Sequence, residues 1–262
     1  MKKVYIISAL LLVAVILPVQ QANAQRKLHF GFEIMGGIPT GDYGKLTSFD
    51  NYAAIWHENA QGKTPTEAAA AFAFGINFRM DYDISDQFSV FGSIGFINTF
   101  VKNAVTDSAE TFLSRYSTAY SFENLNIFNI PVMIGGRYTI YLANNFGFFG
   151  EAGLGINFRQ LGDLTVTDTR TIYDPETGNY YSSMEEKNTS KTSVGFTFQV
   201  GAGFQLGKSM SLGVYYLNLG TGDVKYDQTQ TFYGTSNLVR NRTVTAGKIT
   251  QQMLAIRLGF DF

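Results

Sequence analysis

The chain has 262 residues, with Lys+Arg 20 and Asp+Glu 21 for a formal charge of -1, which argues against a nucleic-acid partner because such a protein needs a basic face. The 0 Cys exclude a disulfide scaffold, a Cys-ligated metal site and a thiol nucleophile, and 2 His leave little for a histidine metal cluster. Charged residues make up 16%, well below the usual quarter or so, while Gly 27 and Phe 23 are high: a composition suited to a sheet with one face in an apolar solvent.

The N-terminus carries an export pattern. Lys2 and Lys3 precede an apolar run over 4–17, Pro18 ends it, and Ala22-Asn23-Ala24 places small residues two apart just before Gln25. This predicts a secretory signal peptide over 1–24, cut after Ala24, with no lipoprotein cysteine at the site. The run is shorter than the roughly 20 residues of a membrane span. Loss of Lys2 and Lys3 would take the formal charge from -1 to -3, leaving 25–262 as the mature domain.

Beyond residue 25 the apolar residues recur every second position, the strand period. Eight segments show it: 27–35, 71–84, 88–100, 122–140, 146–158, 193–206, 210–218 and 250–262. The large apolar residues fall on even numbers throughout, as in Phe72, Phe74, Ile76, Phe78 and Met80, or Val194, Phe196, Phe198 and Val200. Glycines and charges take the odd positions, and no even position within a segment's apolar span is charged. A lipid-facing surface requires this, since a charge at the bilayer midplane costs about 2–4 kcal/mol.

The connections alternate as well: short turns at 85–87, 141–145 and 207–209, and long polar stretches at 36–70, 101–121, 159–192 and 219–249. Short turns at one end and long loops at the other are the two ends of an outer-membrane barrel, with both termini periplasmic and the long loops extracellular. The reading is therefore all-β: an eight-stranded antiparallel transmembrane β-barrel, an up-and-down meander, in the bacterial outer membrane. Stretches 164–173 and 230–244 could raise the strand count to ten, but their weak alternation makes them loop hairpins. Aromatic girdles are expected from Tyr82, Phe88, Tyr138, Phe146, Phe260 and Phe262 at the turn end, and from Phe72, Phe100, Phe122, Phe158 and Tyr216 at the loop end. Pro131 removes a ladder donor inside a strand, and a local bulge is expected there.

The last residues carry a resemblance. Leu254, Ile256, Leu258, Phe260 and Phe262 alternate up to a terminal Phe, which resembles the C-terminal β-signal that the barrel-assembly machinery reads in outer-membrane proteins. The mature chain resembles the small outer-membrane β-barrel family, of OmpA- and OmpX-like architecture. Asn129-Ile130-Pro131-Val132-Met133 with Tyr138, and Gln25 after the cleavage site, are similar to the PorT-like barrels of Bacteroidetes. That likeness implies a Gram-negative envelope and a role as an accessory to envelope secretion or assembly. Fold and function separate easily, so it does not define the activity.

The odd positions point into the lumen. They include Glu33, Arg79, Asp81, Glu123, Arg137, Glu151 and Arg257. An eight-stranded barrel is only wide enough for its own side chains to fill it. Glu33 and Glu151 are expected to meet two of Arg79, Arg137 and Arg257 as a structural plug, in preference to an ion path. Catalytic options are thin. His57, with Trp56, Glu58 and Asp50 nearby, has no evident acid–base partner, and His29 sits at the rim of the first strand. Asp163, Asp168, Asp174 and Glu176 follow no EF-hand spacing, so neither metal nor cofactor is expected. Loop residues Tyr173, Tyr180, Tyr181, Tyr226 and Tyr233 suit a contact surface. The function indicated is a non-enzymatic membrane scaffold with partner-binding loops. Its partners would be outer-membrane lipid and lipopolysaccharide, the barrel-assembly machinery, and an envelope or extracellular protein. A narrow channel or a conduit for hydrophobic solutes is the second reading, and a lipid A-modifying enzyme the third.

Overall fold

Alternation with period two folds into strands that must find partners on both sides, because hydrocarbon offers no alternative hydrogen bonds. The computed structural model describes residues 28–45, 68, 70–102, 118–123, 126–143, 146–207 and 209–262. The expected signal segment with Ala22, Ala24 and Gln25 lies outside them, as do Asp50, Trp56, His57 and Glu58.

Eight strands form a ring: β1 (Leu28–Thr40), β2 (Ala70–Asp83), β3 (Phe88–Val101), β5 (Ile127–Ala143), β6 (Phe146–Gln160), β11 (Ser193–Leu206), β12 (Met210–Tyr233) and β13 (Leu238–Asp261). Each pairs antiparallel with the next, and β13 returns to β1 from Gly31↔Asp261 to Thr40↔Gln252. Among the described residues the ring of eight strands is closed. Even-numbered residues face outward, as Ile134, Phe196, Ile256 and Leu254 do, while Glu33, Met35, Tyr215 and Arg257 are buried inside. The expected girdle residues Tyr82, Phe88, Tyr138, Phe72 and Phe100 are exposed on the outer surface.

Several expectations are corrected. The fourth segment is two strands, because β4 (Thr118–Glu123) is separate from β5 and pairs with β7 (Asp163–Asp168). Glu123 is thus paired with Asp163 beyond the ring. Pro131 makes no bulge. Its register with Asn157 on β6 is unbroken, and on β3 the pairs Ile94↔Val132 and Ile97↔Asn129 keep one register across the interruption. The missing donor is accommodated because Gly95 leaves room for the ring: a Cβ there would stand 3.0 Å from the Pro131 Cγ. The stretches 159–192 and 219–249 are largely paired strands. β7, β10 (Ser183–Ser190) and the far halves of β12 and β13 extend one side of the wall as the sheet β4-β7-β10-β12-β13. The stretches 164–173 and 230–244 belong to this extension and to the short hairpin at its tip, and neither adds a strand to the ring of eight.

The extension reverses the wall's polarity. On β12 an extra residue, Leu219, enters opposite β13 between Asn218↔Gln252 and Gly220↔Gln251, and Gly220 takes φ 85, a value that favours glycine. Beyond the bulge even positions turn inward, so Val224, Tyr226 and Phe232 are buried while Thr221 and Asp227 are exposed. Neighbouring strands slip at the same level: Ser193 is buried on β11 and Ser190 on β10, Leu161 and then Leu164 beside β6, and Ile249 and then Val244 on β13. Below this line the outward face is apolar; above it the outward face carries Thr, Asp, Glu and Lys. The line marks where the wall leaves hydrocarbon.

The tip hairpin, β8 (Ile172–Asp174) with β9 (Asn179–Tyr181), is clasped to the end of β12–β13. Arg240 donates to both oxygens of Asp174 at 3.0 and 2.8 Å, Thr177 Oγ1 donates to Asp174 at 2.6 Å, and Tyr181 packs on Phe232 at 5.2 Å between centroids. The Thr177 hydroxyl and the Arg240 guanidinium hold the Asp174 carboxyl down at about 2. A carboxyl depressed in the folded state stabilises the clasp above its unfolded value, and that contribution is lost as pH falls. Proteolytic cleavage within the hairpin is therefore expected to stay constant down to about pH 4 and to rise on acidification towards pH 2, with no such rise in Asp174→Asn, which starts unclasped.

Candidate functional site

The lumen is filled in three levels. At the turn end β1, β2, β5, β6 and β13 bring Glu33, Arg79, Arg137, Glu151 and Arg257 together. Glu151 lies 2.5 Å from Arg79 and 2.8 Å from Arg137, and Glu33 lies 3.6 Å from Arg79, 3.7 Å from Arg137 and 3.4 Å from Arg257. Asp81 completes the set by taking the Arg79 fork at 2.6 and 2.7 Å, so three guanidiniums face three carboxylates. Gln199 donates to Glu151 at 2.7 Å and accepts from Arg257 at 2.7 Å; Asn77 donates to Glu33 at 2.7 Å. These neutral amides link the charges and supply hydrogen bonds that a buried ion pair needs to offset its desolvation.

Each guanidinium also lies over a ring: Arg79 on Phe91 at 3.9 Å, Arg137 on Phe149 at 4.3 Å and Arg257 on Tyr215 at 4.3 Å. Sequence reasoning missed these aromatics, having given the odd positions to glycines and charges. The signal was present, because Phe91, Phe149 and Tyr215 are odd-numbered exceptions among outward-facing Phe and Tyr. The lumen glycines explain how they fit. A Cβ on Gly201 would overlap the Tyr215 ring, one on Gly135 would overlap the Phe91 ring, and one on Gly203 would stand 2.7 Å from Phe149. Ring and glycine are partners on neighbouring strands, Tyr215 beside Gly201, Phe149 beside Gly203 and Phe91 beside Gly135.

The middle level is apolar. Met35, Ile97, Met133 and Met253 are buried there. Beside Met35, Ile97, Met133 and Pro131 a cavity of about 10 Å³ is left, the scale of a single water.

The loop-end level centres on Arg159, assigned from sequence to a loop but fully buried at the end of β6. Its Nε donates to Gln251 at 2.7 Å, and its terminal nitrogens donate to the carbonyls of Leu219, Gly220, Gly222 and Ile249 at 3.3, 2.9, 3.4 and 3.0 Å. Leu219 and Gly220 are the bulge residues, so Arg159 satisfies carbonyls that the broken ladder releases. Tyr43, on a 3-10 turn (Gly41–Gly44) after β1, accepts from Gln251 at 3.1 Å and caps the level. Asn157 donates to Asn129 at 2.8 Å. Carrying the odd-inward phase one step past Phe158 would have found Arg159.

The remaining candidates lie elsewhere. Leu254, Ile256, Leu258, Phe260 and Phe262 line the outer face of β13 and the terminus beyond it. His29 Nε2 lies 2.8 Å from Asp83 at the turn end. Asp168 is engaged by Arg170 at 2.5 Å and Asp174 by Arg240, so these loop carboxylates are held apart in separate pairs.

A closed eight-strand ring with an apolar outer band and a charged, filled lumen defines an integral outer-membrane barrel. The family model for the outer membrane protein beta-barrel domain matches residues 7–262, and the chain belongs to that family. Among solved structures it is similar to Ail, the attachment invasion locus protein of Yersinia pestis, with 9% identity, coverage of 90% of this chain and 98% of that one, and a TM-score of 0.38. It is also similar to a major outer membrane protein from Thermus thermophilus (11% identity, 90% and 99% covered, TM-score 0.42) and to Neisserial surface protein A (10%, 90% and 97%, 0.36). No curated protein sequence matches the chain.

Removing Arg137 leaves Glu151 to Arg79 alone and the buried network one positive charge short, a change of up to about 3–5 kcal/mol. Arg137→Ala is expected to lower the urea midpoint of unfolding accordingly while circular dichroism stays that of a barrel. An unchanged midpoint would refute a structural role for the network.

Proposed function

We propose that the protein is a sealed scaffold of the bacterial outer membrane whose working surface is the sheet beyond the rim. The supporting observation is that all three lumen levels are occupied, leaving about 10 Å³ of free space at the middle level, while one side of the wall continues out of the membrane as paired strands. A filled bore suits anchoring; an extended, clasped sheet suits contact. On this reading residues 1–24 direct export and are cleaved after Ala24, the termini are periplasmic and the extension faces outward. Leu254, Ile256, Leu258, Phe260 and Phe262 are read by the assembly machinery.

The contact surface would be the hairpin tip. Tyr173 and Tyr180 pack there at 5.0 Å between centroids with their planes tilted by 45°, 52% and 71% exposed, and rigid exposed aromatics make contact area at low entropic cost. The partner on this reading is an envelope or extracellular protein, in the setting of secretion or assembly that the PorT-like motif implies. The role is structural or interaction-based, without catalysis.

Single-channel recording tests the sealed lumen. The refolded protein is expected to be silent in planar bilayers. Steady discrete openings, altered by Arg137→Ala, would make the bore a pathway and overturn the scaffold reading in favour of a channel.

A further inference from the structure

The ladder between β11 and β12 stops at Phe198↔Asn218 and resumes between β10 and β12 at Ser190↔Tyr226. The backbones remain close at the lower edge of this interruption, where a Cβ on Gly220 would overlap the Phe196 carbonyl oxygen. At the upper edge the Lys191 N–H donates to the Lys225 carbonyl at 2.8 Å. Between the two edges the wall opens into a cavity of about 320 Å³, lined by Ser193, Val194, Thr221, Asp223, Lys225 and Lys248 among others.

The cavity is cationic. Among the described residues Asp223 is its one lining carboxylate, and Lys225 pairs with it at 3.0 Å. Asp227, above, is taken by Lys191 at 2.8 Å. Lys248 forms no ion pair among the described residues. Behind the wall, Arg159 Nη1 and Ser193 Oγ lie 2.8 and 3.0 Å from where a Cβ on Gly222 would stand. The donors of Arg159 go to uncharged oxygens, so among the described residues no carboxylate pairs with its charge. Ser193 is 7% exposed, lines the cavity, and its hydroxyl has no hydrogen-bond partner among the described residues.

We propose that this wall gap binds the phosphate group of an anionic lipid headgroup. Its height selects the source. On the same strand Val194 lines the gap and Phe196 stands at its lower edge, 57% and 62% exposed on the lipid-facing surface. An acyl chain lying against them places its headgroup at the gap, where the outward face turns polar. Its chemistry selects the group: a free ammonium, an idle hydroxyl and an uncompensated guanidinium behind them suit an anion with several acceptor oxygens. The site rests on the membrane-rim position and not on the sealed lumen, so the conductance result leaves it standing or falling on its own.

Native mass spectrometry of the refolded full chain released from micelles tests it, with dimyristoyl phosphatidylglycerol, dimyristoyl phosphatidylcholine and inorganic phosphate as probes. One phosphatidylglycerol is expected to be retained in preference to phosphatidylcholine. Lys225→Ala with Lys248→Ala should weaken it roughly thirtyfold, and Asp223→Asn should tighten it about fivefold, from the usual worth of a basic residue at an anionic surface. Heat-modifiable gel mobility checks that each variant is folded. Equal retention of both lipids, or no effect of either variant in folded protein, would overturn the site. Inorganic phosphate bound at the lysines without preference for phosphatidylglycerol would overturn the lipid source.

Discussion

The β1–β13 seam is the constraint on which the rest depends. In hydrocarbon an unpaired backbone N–H or C=O costs several kcal/mol, so a row of them along an open edge is prohibitive. Pairing Gly31 with Asp261 through to Thr40 with Gln252 removes both edges at once. Closure at eight strands then dictates a bore so narrow that every inward side chain meets those opposite. Charges there have no water to retreat to and must find one another.

The turn-end network answers that demand with three kinds of contact. Carboxylates neutralise the guanidiniums, amides from Gln199 and Asn77 hydrogen-bond to Glu151, Arg257 and Glu33, and rings lie against the guanidinium faces. Glycines opposite the rings let the wall approach closely enough for all of it to fit. The loop-end level solves a different problem. There the wall itself is broken by the Leu219 bulge, and Arg159 is placed where the break turns carbonyls inward. One arginine thereby joins the interruption in the wall to the packing of the bore.

That interruption is also where the protein exchanges one solvent for another. Within the membrane the outside is apolar and the inside polar. Beyond it, single-residue slips on β12, β13 and their neighbours turn apolar side chains inward, the ordinary arrangement for a sheet in water. A shift of one residue reverses every side chain that follows. The reversal leaves the gap at the rim, and so the fold's change of solvent and its cationic cavity share one cause.

Much of the barrel was legible because its governing pattern is local. The period of two, the even-numbered apolar phase and the short turns at 85–87 and 207–209 follow from which face each residue must show to lipid, a rule every strand obeys independently. Glu33, Arg79, Arg137, Glu151 and Arg257 could be placed in the lumen on the same ground. What the sequence could not carry were facts that depend on two strands together. Pro131 sits without a bulge because Gly95 lies beside it on β3. Phe91, Phe149 and Tyr215 turn inward against glycines on other strands. Arg159, past the end of the visible pattern, is buried because a bulge on β12 supplies its acceptors. Alternation determined which way each side chain points; register across the ring, which no single strand encodes, decided what it meets.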